Sequence, residues 1–210
     1  MAEAMTYTSL VQDLQIYAER SDDSFTSQIP RFIMMAENRL ASEVHGLGYL
    51  RYAESILIPG EPTLQKPARW RETSCFSITV ENEVNFLKQR SYTYCRMYWP
   101  NKTLTNIPRF YCDYGYEHFL LVATPDTAYP FELAYHERPI PLDETNQTNW
   151  TTQYAPQLLL YAALLEAQPW LKLDERIAVF QGMYDRAVSA VMNESQRRLN
   201  GDEALMRNEG

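Results

Sequence analysis

The sequence predicts an α+β fold, a helical bundle built from the N- and C-terminal helices with an inserted antiparallel β lobe. Near both ends, apolar residues recur at three- and four-residue steps, which is the spacing of amphipathic helices. Between them, residues 51–140 form short β-rich runs bounded by Pro, Gly, Asn and Asp. Neither pair of helices could bury its apolar stripe alone, so we predict a single domain over residues 1–199.

Two helices are predicted before the β lobe. The first spans residues 8–20, and either Thr6 or Thr8 can cap its N-terminus with a side-chain oxygen. The second spans residues 28–44, with Pro30 in its first turn, where the missing backbone N–H is tolerated. Both present one apolar stripe, so each needs a partner helix.

The β lobe contains three strand-like runs that lie close together, PRFYCDYGY, EHFLLVATP and PFELAYHERP. Turn-forming residues separate them at 115–117 and 125–129, which predicts an antiparallel meander. The preceding stretch, VNFLKQRSYTYCRMYW, is compatible with either a short helix or irregular structure.

Two further helices are predicted after the lobe, at residues 156–168 and 174–199, joined by a short hinge, QPWLKL. The first is apolar on most sides, as a helix buried on most sides is. The second could extend about 38 Å at 1.5 Å per residue. Residues 200–210 are polar and too few to pack alone, which predicts a flexible, extended C-terminal arm.

The composition limits the functions that the chain can serve. A net charge of −8 disfavours nucleic-acid binding as the main task, because such binding depends on Lys and Arg neutralising phosphates. It also disfavours an anionic membrane surface. The longest apolar stretch, residues 158–165, is far shorter than the roughly 20 residues that cross a bilayer, so no membrane contact is expected.

No residue arrangement typical of catalysis stands out in the sequence. The three histidines lack the spacing of metal ligands, and no glycine-rich phosphate loop or serine-nucleophile motif occurs. The three widely spaced cysteines are expected to be reduced thiols in a cytosolic protein. We therefore expect a protein that is not an enzyme and has no cofactor and no metal.

One pair of acidic residues leaves an alternative open. Asp113 and Glu117 flank Tyr111, Tyr114 and Tyr116 in the predicted meander. Two carboxyl groups beside sugar-stacking rings are what glycoside hydrolysis requires, and the rings alone could bind a glycan. A cross-strand aromatic ladder with only a structural role explains the same residues.

Four long segments of the chain read RSYTYCRMYWPN, PRFYCDYGY, TPDTAYPFELAYHERPIPL and NWTTQYAPQLLLYAALLEAQPWLKLDERI. They follow SLVQDLQIYAER and IPRFIMMAENRL near the N-terminus. In sequence and in order, from about Thr6 to Leu199, these segments resemble the head-to-tail adaptor (connector) proteins of tailed bacteriophages.

The resemblance implies a structural virion protein at the head-tail junction, assembled in the host cytoplasm. Such adaptors form a homo-oligomeric ring, typically a dodecamer, beneath the portal protein and above a tail or nozzle protein. The ring lines the channel through which the genome DNA passes without specific binding. The alternative from another class is a glycan-binding or glycan-cleaving phage tail component.

The resemblance also assigns contact roles to two groups of residues. The end of the last helix and the arm would reach the portal. The portal-contact candidates are Gln196, Arg197, Arg198, Leu199, Ala204, Leu205, Met206 and Arg207. The tail-facing or ring-contact candidates are Tyr98, Trp99, Tyr111, Tyr114 and Tyr116.

Overall fold

The chain folds into two compact units, one of them formed by Leu50–Glu137 and the other by the chain on either side of it. The structure is a computed structural model that describes residues 4–44, 47–171 and 174–199. Both sheets lie in the unit Leu50–Glu137, the sandwich unit, and most helices lie in the other, the helical unit. The predicted α+β class is confirmed. The division does not test folding of residues 1–199 as one domain, which stays a prediction.

The α-helices follow one another with a 3-10 turn at Leu47–Tyr49 after the third. They are α1 (Tyr7–Ala18), α2 (Asp23–Thr26), α3 (Ile29–Glu43), α4 (Tyr92–Tyr98), α5 (Trp150–Tyr154), α6 (Pro156–Leu171) and α7 (Asp174–Leu199). All except α4 belong to the helical unit. Thr6 is the N-cap of α1, and its side chain accepts a hydrogen bond from the backbone N–H of Ser9.

The predicted hinge after residue 168 is wrong in its first half, because α6 continues to Leu171 with Pro169 inside the helix. Trp170 explains the difference. Its ring packs against Phe25 and Phe32, with centroid separations of 5.5 and 6.4 Å. This aromatic packing is long-range in sequence and holds the last turn in place despite the hydrogen bond that proline removes.

One buried apolar cluster joins α1, α3, α6 and α7. Helix α6 is buried on most sides, as the sequence predicts. Its buried apolar residues are Leu158, Leu159, Leu160, Ala162, Ala163, Leu164, Leu165 and Ala167. The arrangement of the helices as a bundle stays a prediction, and the predicted arm at 200–210 lies outside the described residues.

A buried carboxyl group fixes the chain as it returns from the sandwich unit to the helices. Glu37 on α3 is only 6% exposed. Its carboxylate accepts hydrogen bonds from the backbone N–H of Leu142 at 3.2 Å and from Nδ2 of Asn149 at 2.9 Å. Burial raises the pKa of Glu37 to about 7, although these hydrogen bonds act in the opposite direction.

A close contact between Gly48 and the Trp150 ring predicts a large effect of adding one methyl group. A Cβ atom at Gly48 would lie 2.0 Å from Cε2 of Trp150, whose ring also packs on Tyr49. Gly48→Ala should therefore destabilise the helical unit by about 1–3 kcal/mol in urea unfolding, because the indole must move.

Gly182 on α7 provides the matched control for this prediction. A Cβ atom there would meet nothing within 4 Å, so Gly182→Ala should be neutral or stabilise by up to about 1 kcal/mol. Adding Trp150→Ala to Gly48→Ala should remove most of the cost of the methyl group in a double-mutant cycle. Equal effects of the two glycine substitutions would contradict the proposed clash.

Two four-stranded sheets make up the sandwich unit. Its strands are β1 (Leu50–Ile56), β2 (Thr63–Gln65), β3 (Trp70–Val80), β4 (Glu83–Phe86), β5 (Lys88–Gln89), β6 (Phe110–Tyr114), β7 (His118–Val122) and β8 (Pro130–Glu137). The first sheet has the order β1-β8-β3-β4 and the second the order β2-β7-β6-β5. The pairs are antiparallel except β5 with β6, which is parallel.

The inner faces of the two sheets share one core. Phe76 on β3 and Phe131 on β8 meet Tyr111 on β6 and Phe119 on β7 in a single buried cluster. Alternate residues of the second sheet point the other way, where Leu120 and its neighbours are covered by α4. Strand β7 is therefore buried on both faces, which explains why its sequence, HFLLV, shows no polar alternation.

The predicted meander is wrong in its third strand. Strands β6 and β7 form the expected antiparallel hairpin, but β8 lies in the first sheet between β1 and β3. Its alternating apolar residues face the core from the opposite side, so the same pattern suits both arrangements. The ambiguous stretch before the hairpin does contain a short helix, α4, but it begins with most of β4 and with β5, which the sequence did not indicate.

Candidate interaction surface

Helix α4 places aromatic side chains on the outer side of the second sheet. Ser91 caps the helix, and its Oγ accepts a hydrogen bond from the N–H of Tyr94. In this helix of two turns, Cys95 is the buried residue and packs with Cys112 and Leu120 of the sheet below. The remaining large side chains of the helix point outwards, including Met97, which is 78% exposed.

The exposed rings hold one another in defined positions. Tyr94 and Tyr98, one helical turn apart, stack at 6.2 Å with an interplanar angle of 8°. Both meet the Phe110 ring edge-on, at 5.5 and 5.1 Å. Tyr92 stacks on Tyr114 at 6.1 Å. Rings that are ordered in the free protein lose little conformational entropy when a partner binds.

Cations surround these rings. Arg90 lies 5.6 Å from the ring centroid of Tyr94, and the Lys102 ammonium lies 4.9 Å from that of Tyr114. Lys88 is paired with Phe110 between β5 and β6 and therefore shares its face. We call this surface the aromatic face. It consists of Lys88, Arg90, Tyr92, Tyr94, Met97, Tyr98, Lys102, Phe110 and Tyr114.

The charge of this segment is opposite in sign to that of the whole chain. Residues 88–112 contain five Lys or Arg residues and no Asp or Glu, whereas the chain has a net charge of −8. Within the described part of the chain, none of the five forms an ion pair. A groove of about 550 Å³ opens beside the rings, lined by Gln89, Arg90, Ser91, Tyr92, Cys112 and Asp113.

Asp113, one of the two carboxyl groups considered for glycan cleavage, is already engaged. Its Oδ1 lies 2.6 Å from Nζ of Lys66, whose side chain is buried. The same ammonium lies 3.9 Å from the Trp70 ring centroid. A buried ammonium requires a counter-charge, so Asp113 has a structural role here. Glu117 is exposed in the turn between β6 and β7.

The structure separates the predicted tail-facing or ring-contact residues. Tyr98, Tyr114 and Tyr116 are exposed, and Trp99 is half-buried with its Nε1 donating to the carbonyl of Leu104. Tyr111 is only 4% exposed, because its ring faces the core of the sandwich. Tyr111 is therefore a core residue of the sandwich unit.

Sequence reasoning missed Tyr92, Tyr94 and Met97 as surface residues. The signal was present, since Tyr94 and Tyr98 have the spacing of neighbours on a helix. The sequence of this segment is compatible with two local structures, whereas in the fold Ser91 caps the helix and Cys95 packs it against the sheet.

The portal-contact candidates on α7 lie on an exposed helix end. Gln196, Arg197 and Arg198 are exposed, and Arg198 forms an ion pair with Glu194 one turn earlier. Cations at this end of a helix complement its dipole. Leu199 is the last residue of α7. The other candidates, Ala204, Leu205, Met206 and Arg207, lie outside the described residues.

Two buried thiols lie beneath the aromatic face. Burial raises the pKa of Cys95, and burial together with Cys95 raises the pKa of Cys112 to about 12. Both are therefore protonated and weakly nucleophilic at neutral pH.

Across residues 4–44, 47–171 and 174–199, no three His, Cys, Asp or Glu side chains are grouped to hold a metal ion. None of the helices described is both long and apolar enough to span a membrane.

The comparisons with known proteins agree with the resemblance seen in the sequence. The family model described as SU10 adaptor protein matches residues 5–206, which cover all of the sandwich unit and most of the helical unit. No curated protein matches the chain. The chain therefore belongs to the SU10 adaptor protein family of phage head-tail adaptors, which makes it a structural component of the virion at the head-tail junction.

Proposed function

We propose that this adaptor forms a closed ring, a dodecamer, that joins the portal at the capsid vertex to the tail and lines the DNA channel. The observation that carries the proposal is the family match across both compact units. The protein acts by contact alone, without catalysis or a cofactor. The protonated state of the Cys95 and Cys112 thiols and the engagement of Asp113 by Lys66 support this part of the proposal.

The portal side of the ring is formed by the end of α7 and by residues 200–210. Arg197 and Arg198 present guanidinium groups that suit carboxylates of a partner protein. A single short segment binds weakly, but a ring makes every docking event after the first intramolecular. Many weak contacts together then hold the portal firmly.

The aromatic face belongs to a protein contact and not to the channel wall. Tyrosine and arginine dominate the binding energy of protein interfaces, and the rings here are already ordered. Its unpaired cations would also bind phosphates and slow the passage of DNA. The net charge of −8, repeated in every copy, repels the DNA backbone and keeps the genome free to slide.

Mixing the purified chain with its cognate portal protein tests the proposal. Negative-stain microscopy should show an added ring below the portal, and the chain should co-sediment with portal-containing heads. A chain that stays single in the presence of these heads would contradict the proposal. A rise in melting temperature with host polysaccharide, without portal binding, would instead support the glycan-binding alternative.

Removal of residues 200–210 should weaken binding to the portal by about tenfold or more, because each copy loses its terminal contact. Sedimentation of the truncated chain with portal-containing heads over a concentration series measures the loss. A chain with the same residues in scrambled order keeps the length and charge and should be as weak as the truncated one. Unchanged affinity of the truncated chain would rule out this portal contact.

A further inference from the structure

We propose that neighbouring copies in the ring contact each other head to tail through opposite faces of their sandwich units. The outer face of the first sheet in one copy would meet the aromatic face of the next copy. The partner of each face is therefore a second copy of this chain. The inference rests on the proposed ring and adds the surfaces that build it.

The outer face of the first sheet carries exposed apolar groups at both edges of the sheet. Tyr52 and Ile56 project from β1, and Val84 and Phe86 project from β4 at the opposite edge. Phe86 is 65% exposed, which is unusual for a phenylalanine in a sheet. Apolar side chains spread over one sheet face in this way are typical of an interaction surface.

Two carboxylates lie side by side on this surface, one on the edge strand β1 and one on its neighbour β8. Glu54 on β1 is directly opposite Glu132 on β8 in the antiparallel ladder. Neither has an ion pair within the described part of the chain. Like charges at directly opposite positions destabilise a sheet, and a cation from outside would relieve the repulsion. We call this surface the acidic face. It consists of Tyr52, Glu54, Ile56, Val84, Phe86 and Glu132.

The aromatic face supplies the matching groups. Lys88, Arg90 and Lys102 carry positive charge on a surface whose segment contains no acidic residue. Its tyrosines and Met97 provide apolar area opposite Tyr52 and Phe86. The two faces are therefore complementary in charge and alike in apolar character, as the two sides of a specific interface are.

The position of the two faces favours a ring over a two-fold dimer. The sheets pack inner face to inner face, so the acidic face and the aromatic face lie on opposite sides of the same compact unit. A contact between two different faces is heterologous, and its repetition gives a closed ring where the rotation between neighbouring copies divides a full turn. Pairing of either face with itself would oppose like charges.

Charge reversal on either face should prevent assembly, and combining the two should restore it. The variant Glu54→Lys/Glu132→Lys reverses the acidic face, and Lys88→Glu/Arg90→Glu reverses the aromatic face. Each alone should weaken ring formation on portal-containing heads by about tenfold or more, because each contact then joins like charges. A mixture of the two variants, or one chain carrying all four changes, should form rings again. The rings are counted by negative-stain microscopy.

The single change Glu132→Lys gives a signature that a folding defect cannot produce. It replaces the repulsion with Glu54 by an attraction, so the free chain should melt at an equal or higher temperature while ring formation falls. Glu117→Lys makes the same change of charge at an exposed residue of the β6–β7 turn that belongs to neither face. It should leave both melting and ring formation unchanged.

The outcomes separate this inference from the proposed function. Rings that form normally from both reversed variants would overturn the contact between these faces and leave the adaptor function standing. Loss of rings without rescue in the mixture would also overturn it. If the unaltered chain forms no ring with the portal, the proposed function itself fails.

Discussion

Phe119→Ala is expected to lower the stability of the sandwich unit by about 3–5 kcal/mol, one of the largest single effects in this chain. The Phe119 ring is fully buried between the two sheets. It contacts the rings of Trp70, Phe76 and Tyr111 at centroid distances of 5.4, 5.9 and 5.5 Å. Truncation removes the buried apolar area and leaves a cavity that these large neighbours cannot fill.

The same substitution removes part of the environment of a buried cation. The Lys66 ammonium lies 4.9 Å from the Phe119 ring centroid and keeps its ion pair with Asp113. Loss of the ring weakens the cation–π contact and lets water reach the ammonium. The effect on Lys66 therefore adds to the cavity term, which places the expected loss in the upper half of the range.

Hydrogen exchange of the β6 and β7 backbone amides measures this loss in the sandwich unit itself, because a chain of two compact units need not unfold in one step. Phe86→Ala is the matched control, since it truncates an exposed phenylalanine in the same unit. It should change stability by no more than about 0.5 kcal/mol. Similar losses for the two phenylalanines would mean that the core between the sheets is not packed as described.

Glu37→Gln should make the helical unit less sensitive to pH and more stable above neutral pH. Burial raises the pKa of Glu37 from 4.5 to about 7 in the folded chain. The folded state therefore binds a proton more tightly than the unfolded state between these two values. The contribution of this carboxyl to stability is fully present below pH 4.5 and is lost as the pH rises through about 7.

The size of the effect follows from the two pKa values and amounts to about 3 kcal/mol, at 1.36 kcal/mol for each pH unit that separates them. A glutamine has the shape of the protonated carboxyl, and its Oε1 can still accept from Leu142 and Asn149. Wild type and variant should thus be similarly stable near pH 4.5. At pH 8 the free energy of unfolding of the variant should exceed that of wild type by up to about 3 kcal/mol.

Urea unfolding followed by far-UV circular dichroism, at pH values between 4.5 and 8, tests this expectation. The difference between the two profiles gives the contribution of Glu37 to the pH dependence of stability, because all other titrating groups are common to both chains. Glu144→Gln removes an exposed carboxyl of the same unit and, as a surface substitution, should change stability by no more than about 0.5 kcal/mol. Parallel profiles for wild type and Glu37→Gln would show that the carboxyl is solvated in the folded chain.

The α+β class could be predicted from the sequence, because local periodicity is enough to separate helices from strands. Helix α6 shows this, since its apolar residues on most sides predict the burial that the structure has. The hairpin of β6 and β7 could be predicted in the same way, because its turn joins strands that are neighbours along the chain. The family resemblance, carried by long segments in a fixed order, could also be recognised from the sequence.

Packing between distant parts of the chain sets which sheet β8 joins, where α6 ends and which tyrosines are exposed. The alternating pattern of β8 suits either sheet, and Trp170 extends α6 through contacts with residues more than a hundred positions away. Tyr111 and Tyr114 are three residues apart, yet one faces the core and the other the solvent. Local propensity fixes the type of an element, whereas its partners are set by contacts between residues distant in sequence, and these contacts leave no local pattern.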